Sequence, residues 1–324
     1  MSLVSAASIG LSAAPSFLQN GFGDVASAVR GALGLRDPSA PTSGAPGTLY
    51  AFGDSLSGAG NDYVLSGGAV PVSPPYSDGR FTNGPVWVQD LATSSGLPAV
   101  TPNLQGGTDF AYGGAQTGST PLHAGTPVDL PSQLAQFEFA NPTPQTNALY
   151  TLSIGSNDVL NAISTYAEDP TAAVDDIADA VANETQFING LAAKGAQTLV
   201  VLNVPDLGKT PRAIGAGANT VQLASTLSAL YDQELSASLQ SVAGGIGLHL
   251  VDTFALLDTA IANPAAYGLT DVTDPLWTGN DTNPSSGVLQ ATGAAANRYL
   301  FFDSLHPTAY VHALLASAAQ AGLG

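Results

Sequence analysis

The sequence predicts an α/β protein with a parallel sheet that helices cover on both faces. Beyond residue 47, short apolar runs alternate with longer stretches of helical spacing, and such alternation is typical of parallel sheets. The apolar runs do not alternate cleanly between polar and apolar residues, as expected for strands buried on both faces. The predicted strands are Thr48–Phe52, Thr108–Tyr112, Ala148–Ile154, Thr198–Asn203 and Gly247–Asp252.

Helical spacing fills the segments between these strands, and the first residues of the chain differ from the rest. Residues 37–46 are rich in Pro, Ser and Gly, a composition typical of a linker. We therefore predict an N-terminal extension and linker over residues 1–46 and one α/β domain over residues 47–324. The predicted helices are Val86–Ser94, Pro170–Lys194, Asn219–Ala243 and Thr308–Ala321.

Charged residues are scarce and mostly acidic. They make up 10% of the chain, and 7 basic against 25 acidic residues give a net charge of −18. Such a surface repels phosphate backbones, which excludes nucleic acid as a partner. The chain has no cysteine, which excludes disulfides, thiolate metal sites and cysteine nucleophiles. No apolar run is long enough to predict an integral membrane segment.

Four short motifs follow predicted strands or strand-like runs. The carboxyl ends of parallel strands meet at one edge of a sheet, so we expect the four motifs to converge there. Each motif alone is a weak signal, because a polar residue after a strand is usually a turn residue. The motifs are Gly53-Asp54-Ser55-Leu56, Gly113-Gly114, Gly155-Ser156-Asn157-Asp158 and Asp303-Ser304-Leu305-His306.

Ser55, His306 and Asp303 are the residue types of a nucleophile, its base and an orienting carboxylate. A serine hydroxyl needs a base near neutral pH, and histidine is the usual one. Only His306 has a carboxylate three residues before it, so that Asp303 accepts from Nδ1 and Nε2 faces Ser55. The alternative is that Asp303 only caps the last helix. The other histidines are predicted to lie in a solvated loop, in a strand and in a solvated part of the last helix: His123, His249 and His312.

Donors for an oxyanion are available in the same motifs. The backbone N–H groups of Ser55 and Gly114 and the side-chain amide of Asn157 are the candidates. The alternative is that these residues only form a tight turn and a helix N-cap. Asp54 and Asp158 are interpreted as caps and turn formers and not as a metal pair, so no metal and no cofactor are predicted.

At these residues the chain resembles the GDSL/SGNH hydrolase superfamily, and within it the catalytic passenger domains of autotransporter esterases. The resemblance implies that Ser55, His306 and Asp303 are catalytic, and that Ser55, Gly114 and Asn157 form the oxyanion hole. Relatives often have Asp after Leu-Ser where this chain has Ser57-Gly58, so the support of that Asp for the nucleophile turn is expected to be absent. Further matching segments are residues 76–87, 202–208 and 298–308.

The resemblance also implies a three-layer α/β/α sandwich, the flavodoxin-like SGNH fold, with a five-stranded parallel sheet and no cofactor or metal. It implies hydrolysis of carboxylic esters, with a small-molecule, lipid or carbohydrate ester as substrate. An acyltransferase with the same intermediate and a non-catalytic binding module on the same fold remain alternatives. A secreted or periplasmic bacterial location is expected. Candidates for an acyl pocket, which could equally be core residues, are Trp87, Tyr112, Val159, Leu160, Trp277 and Leu305.

Overall fold

The computed structural model describes residues 46–120, 123, 126, 128–141, 146–242 and 246–323. A parallel sheet with the strand order β1-β2-β3-β4 forms its centre. Neighbouring strands start in register, Leu49 opposite Leu149 and Thr198 opposite Gly247. The strands are β1 (Leu49–Gly53), β2 (Leu149–Ser153), β3 (Thr198–Leu202) and β4 (Gly247–Val251).

Helices connect the strands and a second, two-stranded parallel sheet lies near the C-terminus. This small sheet consists of β5 (Asp271–Pro275) and β6 (Tyr299–Phe301). The helices are α1 (Asn61–Leu65), α2 (Trp87–Ser94), α3 (Leu130–Ala140), α4 (Ser156–Tyr166), α5 (Pro170–Ala193), α6 (Pro211–Ala216), α7 (Ala218–Leu239), α8 (Thr253–Ala262) and α9 (Ala309–Gly322). Short 3-10 helices lie at Asn103–Gln105, Leu207–Lys209, Pro264–Tyr267 and Gly293–Arg298.

The main sheet separates two hydrophobic layers, because successive side chains of a strand point to opposite faces. Tyr50 and Phe52 of β1 pack in the layer with α3, α4, α5 and α7, whereas Leu49 and Ala51 pack in the layer with α2, α8 and α9. Both faces are therefore buried, which explains why the strand sequences show no alternation. The α/β class and the three layers expected from the sequence are confirmed.

The expectation of five strands was wrong, because the main sheet of the described residues has four. The segment predicted as a strand, Thr108–Tyr112, runs beside β1 and exchanges backbone hydrogen bonds with it: the Ala51 N–H donates to the Thr108 carbonyl at 3.0 Å and the Phe110 N–H to the Ala51 carbonyl at 2.8 Å. Only Ala51 and Asp109 form a bridge there. The carboxylate of Asp109 binds the loop after Ser55, as described below, and the segment does not continue as a regular strand.

The predicted N-terminal extension and linker, residues 1–46, lies outside the described residues except for Pro46. Within the described ranges, no helix has the length and apolar character that crossing a membrane requires. The predicted helices were close to those observed, and α5 ends at Ala193 just before Gly195, whose φ of 93° fits the turn that follows.

Candidate active site

Three of the four motifs follow strands at the carboxyl edge of the main sheet or the small sheet. Ser55 lies two residues after β1, Asn157 lies in the first turn of α4 after β2, and His306 follows β6. Gly114 lies in the turn after the segment that runs beside β1. Ser55, Asn157 and His306 line one cavity, although the motif with His306 follows a strand of the small sheet and not of the main sheet.

A chain of hydrogen bonds joins Ser55, His306 and Asp303. The Nε2 atom of His306 lies 2.9 Å from Oγ of Ser55, and its Nδ1 lies 2.8 Å from Oδ2 of Asp303. Ser55 is 9% exposed and Asp303 is 5% exposed, so the chain is shielded from bulk water but accessible at the serine. This is the geometry of a serine nucleophile, its base and the carboxylate that orients the base.

Besides the imidazole of His306, three other groups donate hydrogen bonds to the carboxylate of Asp303. Its Oδ1 accepts the backbone N–H groups of Leu305 at 2.8 Å and His306 at 2.7 Å, and its Oδ2 accepts the hydroxyl of Tyr76 at 2.7 Å. The ring of Tyr76 packs edge-on against Phe302 at 4.9 Å between centroids. Asp303 thus closes the turn that carries His306 and also contacts the imidazole, but it does not cap the last helix, whose N-cap residue is Thr308.

The pKa shifts of Asp303 and His306 agree with these contacts. Burial opposes the charged form of Asp303, but the adjacent His306 and the hydrogen bonds that the carboxylate accepts bring the pKa of Asp303 below its ordinary value. Burial likewise works to lower the pKa of His306, but the charge and hydrogen bond of Asp303 outweigh it and the pKa of His306 is raised. Asp303 therefore stays ionised at neutral pH, and the proton between the two residues lies on Nδ1.

The backbone N–H groups of Ser55 and Gly114 are the two main-chain candidates for an oxyanion site. Among the described residues, neither the Ser55 N–H nor the Gly114 N–H has a backbone acceptor. Gly114 has a φ of 74°, a conformation that glycine adopts without strain. The side-chain amide of Asn157 donates one N–H to the Ala115 carbonyl at 3.0 Å, which ties the glycine turn to α4 and leaves a second amide N–H.

A carboxylate from a distant segment of the chain supports the turn that carries Ser55. The Asp that relatives often have after Leu-Ser is absent, since Ser57 is followed by Gly58. The carboxylate of Asp109 accepts the Ala59 N–H at 2.6 Å, and the side-chain amide of Asn61 donates to the carbonyls of Asp109 at 2.9 Å and Ala111 at 3.0 Å. A buried carboxylate from the edge segment therefore replaces the local one.

The surroundings of two other histidines differ from those predicted from the sequence. His312, expected in a solvated position, is 1% exposed and its Nδ1 accepts the Trp87 N–H at 3.3 Å, and burial lowers its pKa to about 3. His123, also expected in solvent, has its Nδ1 at 2.7 Å from the buried carboxylate of Asp129. His249 lies in β4, as predicted.

Asp54 stabilises a local turn, as interpreted from the sequence, whereas Asp158 joins α4 to a distant loop and is not a cap. Asp54 accepts the Leu56 N–H at 3.0 Å, and Asp158 accepts the Thr117 hydroxyl at 2.8 Å. Burial raises the pKa of Asp54 to about 7 and the pKa of Asp158 to about 6. Across the described ranges, no group of three or more His, Asp or Glu residues is arranged to hold a metal ion.

A mostly apolar cavity begins at Ser55, Asn157 and His306 and extends between α8 and α9. Of the six residues considered for an acyl pocket, only Leu305 lines it. Trp87, Tyr112, Val159 and Trp277 are buried in the core. The cavity walls come instead from residues that no sequence pattern placed near Ser55: Leu256, Leu257, Ala260, Leu269, Leu300, Val311, Leu314 and Leu315.

Sequence reasoning also missed Tyr76 as a site residue. Tyr76 lies 227 positions before Asp303, and nothing in its local pattern indicates a hydrogen bond to that carboxylate. The only signal was its place in the segment 76–87 that matched the family resemblance, which did not indicate a role.

Comparisons with known proteins identify the family of this chain. A family model described as GDSL-like lipase/acylhydrolase matches residues 49–319. The chain belongs to that family. A phosphatidylcholine-sterol acyltransferase of Aeromonas hydrophila is 27% identical over 308 residues, 84% of this chain and 88% of that protein. An acetylesterase of Thermothelomyces thermophilus is 30% identical over 242 residues, 69% of this chain and 76% of the relative.

Membership of the GDSL family does not by itself establish activity. An Arabidopsis thaliana protein named inactive GDSL esterase/lipase-like protein 25 is 27% identical over 293 residues, 81% of this chain and 68% of that protein. Membership of the family therefore supports a hydrolase or an acyltransferase. Whether this protein is active depends on its site residues. The narrower resemblance to autotransporter passenger domains stays a prediction.

Proposed function

We propose that this GDSL family protein hydrolyses carboxylic esters through an acyl-enzyme on Ser55. The observation that carries the proposal is the continuous contact from Ser55 Oγ to His306 Nε2, at 2.9 Å, and from His306 Nδ1 to Asp303, at 2.8 Å. Asp303 stays ionised and His306 is neutral when its pKa lies below the ambient pH, which leaves Nε2 free to take a proton.

In the first half of the cycle, the Ser55 oxygen attacks the ester carbonyl while its proton moves to Nε2 of His306. The carbonyl π electrons move to the oxygen, and the N–H groups of Ser55 and Gly114 and the amide of Asn157 stabilise this negative charge. Removal of one such donor costs about 2.7–4 kcal/mol in comparable sites. The tetrahedral species then collapses, the C–O bond to the alcohol breaks, and His306 protonates the leaving alcohol.

In the second half, water takes the place of the alcohol. His306 removes a proton from the water as its oxygen attacks the acyl-enzyme carbonyl, and the same three donors stabilise the second oxyanion. Collapse releases the carboxylic acid, and the proton on His306 returns to Oγ of Ser55. Asp303 remains ionised throughout and stabilises the imidazolium that forms at both steps.

The direct test is labelling with an activated fluorophosphonate followed by mapping of the adduct. We expect a single adduct on Ser55, no adduct in Ser55→Ala, and normal labelling in Ser156→Ala, since Ser156 is another serine at the cavity. An adduct on a different serine, or none on the folded wild-type protein, would contradict the proposal.

Acyl transfer to an alcohol is the second candidate, because a relative at 27% identity is named a phosphatidylcholine-sterol acyltransferase. The same acyl-enzyme then reacts with an alcohol acceptor in place of water. Product analysis with and without an added alcohol distinguishes the two. Free acid as the main product in both cases supports the hydrolase, and a new ester as the main product supports the transferase.

A non-catalytic binding module is the remaining alternative, and the relative named inactive shows why it is considered. Against it stand the side chains that the cycle needs, Ser55, His306 and Asp303, all present and in contact. A protein that binds esters but turns none over would support this alternative. Secretion or a periplasmic location follows only from the autotransporter resemblance, and fractionation of the producing cells tests it.

A further inference from the structure

Most apolar walls of the cavity beside Ser55 belong to one hydrophobic layer of the fold, the layer with α2, α8 and α9. Its walls come from α8, through Leu256, Leu257 and Ala260, and from α9, through Leu314 and Leu315. Except for residues at its opening, few polar side chains line it. A narrow apolar space of this kind stays without ordered water and accepts apolar ligands.

The cavity leads away from the nucleophile. Helix α8 begins at Thr253, whose N–H donates to the Asn203 side chain at the end of β3, at the same sheet edge as Ser55. From Thr253 to Ala260 the helix rises about 10 Å at 1.5 Å per residue, and both residues line the cavity. Helix α9 starts close to His306 and also runs away from it, so that Leu314 and Leu315 lie two turns into the helix.

The volume of the cavity, about 80 Å³, limits what fits. One water needs about 10–15 Å³ on this measure, so the space corresponds to a short row of groups. A straight alkyl chain matches this shape, whereas a sugar would bury hydroxyls with few partners. The cavity therefore favours an aliphatic group of medium length over a polar one.

We propose that this cavity binds the acyl chain of the ester, an unbranched aliphatic chain of about four to eight carbons by the volume argument above, and that Ala260 limits its length. The proposal rests on the acyl-enzyme at Ser55. The acyl group stays bonded to Ser55 while the alcohol departs and water enters, so a partly enclosed space suits the acyl group, and the alcohol needs an open path. Ala260 is the smallest of the residues on α8 that face the chain, and a larger side chain there would fill the cavity.

The test compares p-nitrophenyl esters from acetate to laurate as substrates of the wild type and of Ala260→Leu. We expect the wild-type kcat/KM to be highest between butanoate and octanoate. In Ala260→Leu, kcat/KM for octanoate falls at least tenfold while that for acetate stays within about threefold. Ala316→Leu is the matched control: Ala316 is equally buried in the same layer but does not line the cavity, so its effect is expected to be equal for all chain lengths.

A second variant tests the proposal even if Ala260→Leu does not fold. Leu314→Ala enlarges the cavity, and we expect the preferred acyl chain to become longer. An acyl-chain profile that is the same in the wild type, Ala260→Leu and Leu314→Ala would overturn the proposal. So would an effect of Ala260→Leu that appears in alkyl acetates of increasing alcohol length and not in the acyl series, because the cavity would then bind the alcohol.

Failure of the proposed function gives a different result. If no ester is turned over and the fluorophosphonate labels nothing, calorimetric titration of octanoate and acetate still tests the cavity. Binding of octanoate in preference to acetate, weakened at least tenfold by Ala260→Leu and not by Ala316→Leu, would support an aliphatic site without the chemistry. Equal binding of both acids to all proteins would overturn it.

Discussion

The hydroxyl of Tyr76 donates to the same oxygen of Asp303 that accepts the Nδ1–H of His306. The two contacts are 2.7 Å and 2.8 Å long, and Tyr76 is 3% exposed. Burial and the negative charge of Asp303 raise the pKa of Tyr76, so its hydroxyl remains a donor at every working pH. Tyr76 therefore fixes the carboxylate and withdraws part of the negative charge that faces His306.

We expect Tyr76→Phe to lower kcat/KM by roughly tenfold, which corresponds to about 1.4 kcal/mol. Loss of the donor leaves more negative charge on Oδ2, which stabilises the imidazolium and raises the pKa of His306. The acid limb of the kcat/KM profile should therefore move to higher pH. The measurement is a full pH profile with one activated ester.

Tyr50→Phe is the control for Tyr76→Phe. The hydroxyl of Tyr50 donates to Asn141 at 2.9 Å, so this change also removes a hydrogen bond from a largely buried tyrosine. It should affect stability and leave the acid limb in place. An unchanged acid limb in Tyr76→Phe would mean that Tyr76 only packs against Phe302.

The kcat/KM of the wild-type protein should decrease as the pH falls through the pKa of His306. The imidazole accepts the Ser55 proton only in its neutral form, which is present above that pKa. Because Asp303 raises the pKa of His306 above its ordinary value of 6.5, half-maximal kcat/KM is expected above pH 6.5. An acid limb clearly below pH 6.5 would contradict the pairing of His306 with an ionised Asp303.

Asp303→Asn should lower kcat by several orders of magnitude, ~10⁴ in comparable triads. The Asn oxygen still accepts the backbone N–H groups of Leu305 and His306, so the turn and the melting temperature are expected to change little. The lost charge no longer stabilises the imidazolium, and the tautomer of His306 is no longer fixed. Unchanged turnover would show that Asp303 only closes the turn.

Asn157→Ala should lower kcat by about 10²–10³ with little change in KM, because an oxyanion donor acts mainly in the transition state. Asn157 also holds the glycine turn through the Ala115 carbonyl. Thr117→Val separates these roles, since it removes the hydroxyl bond from Thr117 to Asp158, one of the contacts that tie the same loop to α4. We expect a small loss in Thr117→Val, and equal losses in both variants would contradict a donor role for Asn157.

The sequence predicted the fold class and the convergence of the motifs because both depend on local order. Short apolar runs and intervening helices predict a parallel sheet, and the carboxyl ends of its strands necessarily share an edge. The contact between Ser55 and His306, 251 positions apart, was expected from the residue types of the motifs and their places after strands, although His306 follows β6 of the small sheet and not a strand of the main sheet.

Features that depend on tertiary packing were not predictable. The segment 108–112 has the composition of a strand, but Asp109 in its middle bonds to the nucleophile turn and the segment pairs with β1 at one bridge only. His312 was predicted in a solvated part of the last helix, and its burial against α2 depends on packing. The same holds for Tyr76 and for the cavity between α8 and α9.

A buried acid that the proposed chemistry does not use gives a prediction about stability. Glu184 on α5 is 0% exposed and accepts the Tyr231 hydroxyl at 2.6 Å, and its Oε1 has no hydrogen-bond partner among the described residues. Burial raises the pKa of Glu184 from 4.5 to about 8. The native protein then holds a proton that the unfolded chain loses near pH 4.5, so the free energy of unfolding decreases as the pH rises between these two values.

Glu184→Gln removes this titration and keeps an acceptor for Tyr231. We expect the difference in melting temperature, Glu184→Gln minus wild type, to increase between about pH 4.5 and 8 and to level off above. Each unit of pKa shift corresponds to about 1.4 kcal/mol in the free energy of unfolding. A constant offset from the buried amide leaves this slope unchanged, and the other buried acids titrate in both proteins. Parallel melting curves across that pH range would show that Glu184 is ionised in the native protein at neutral pH.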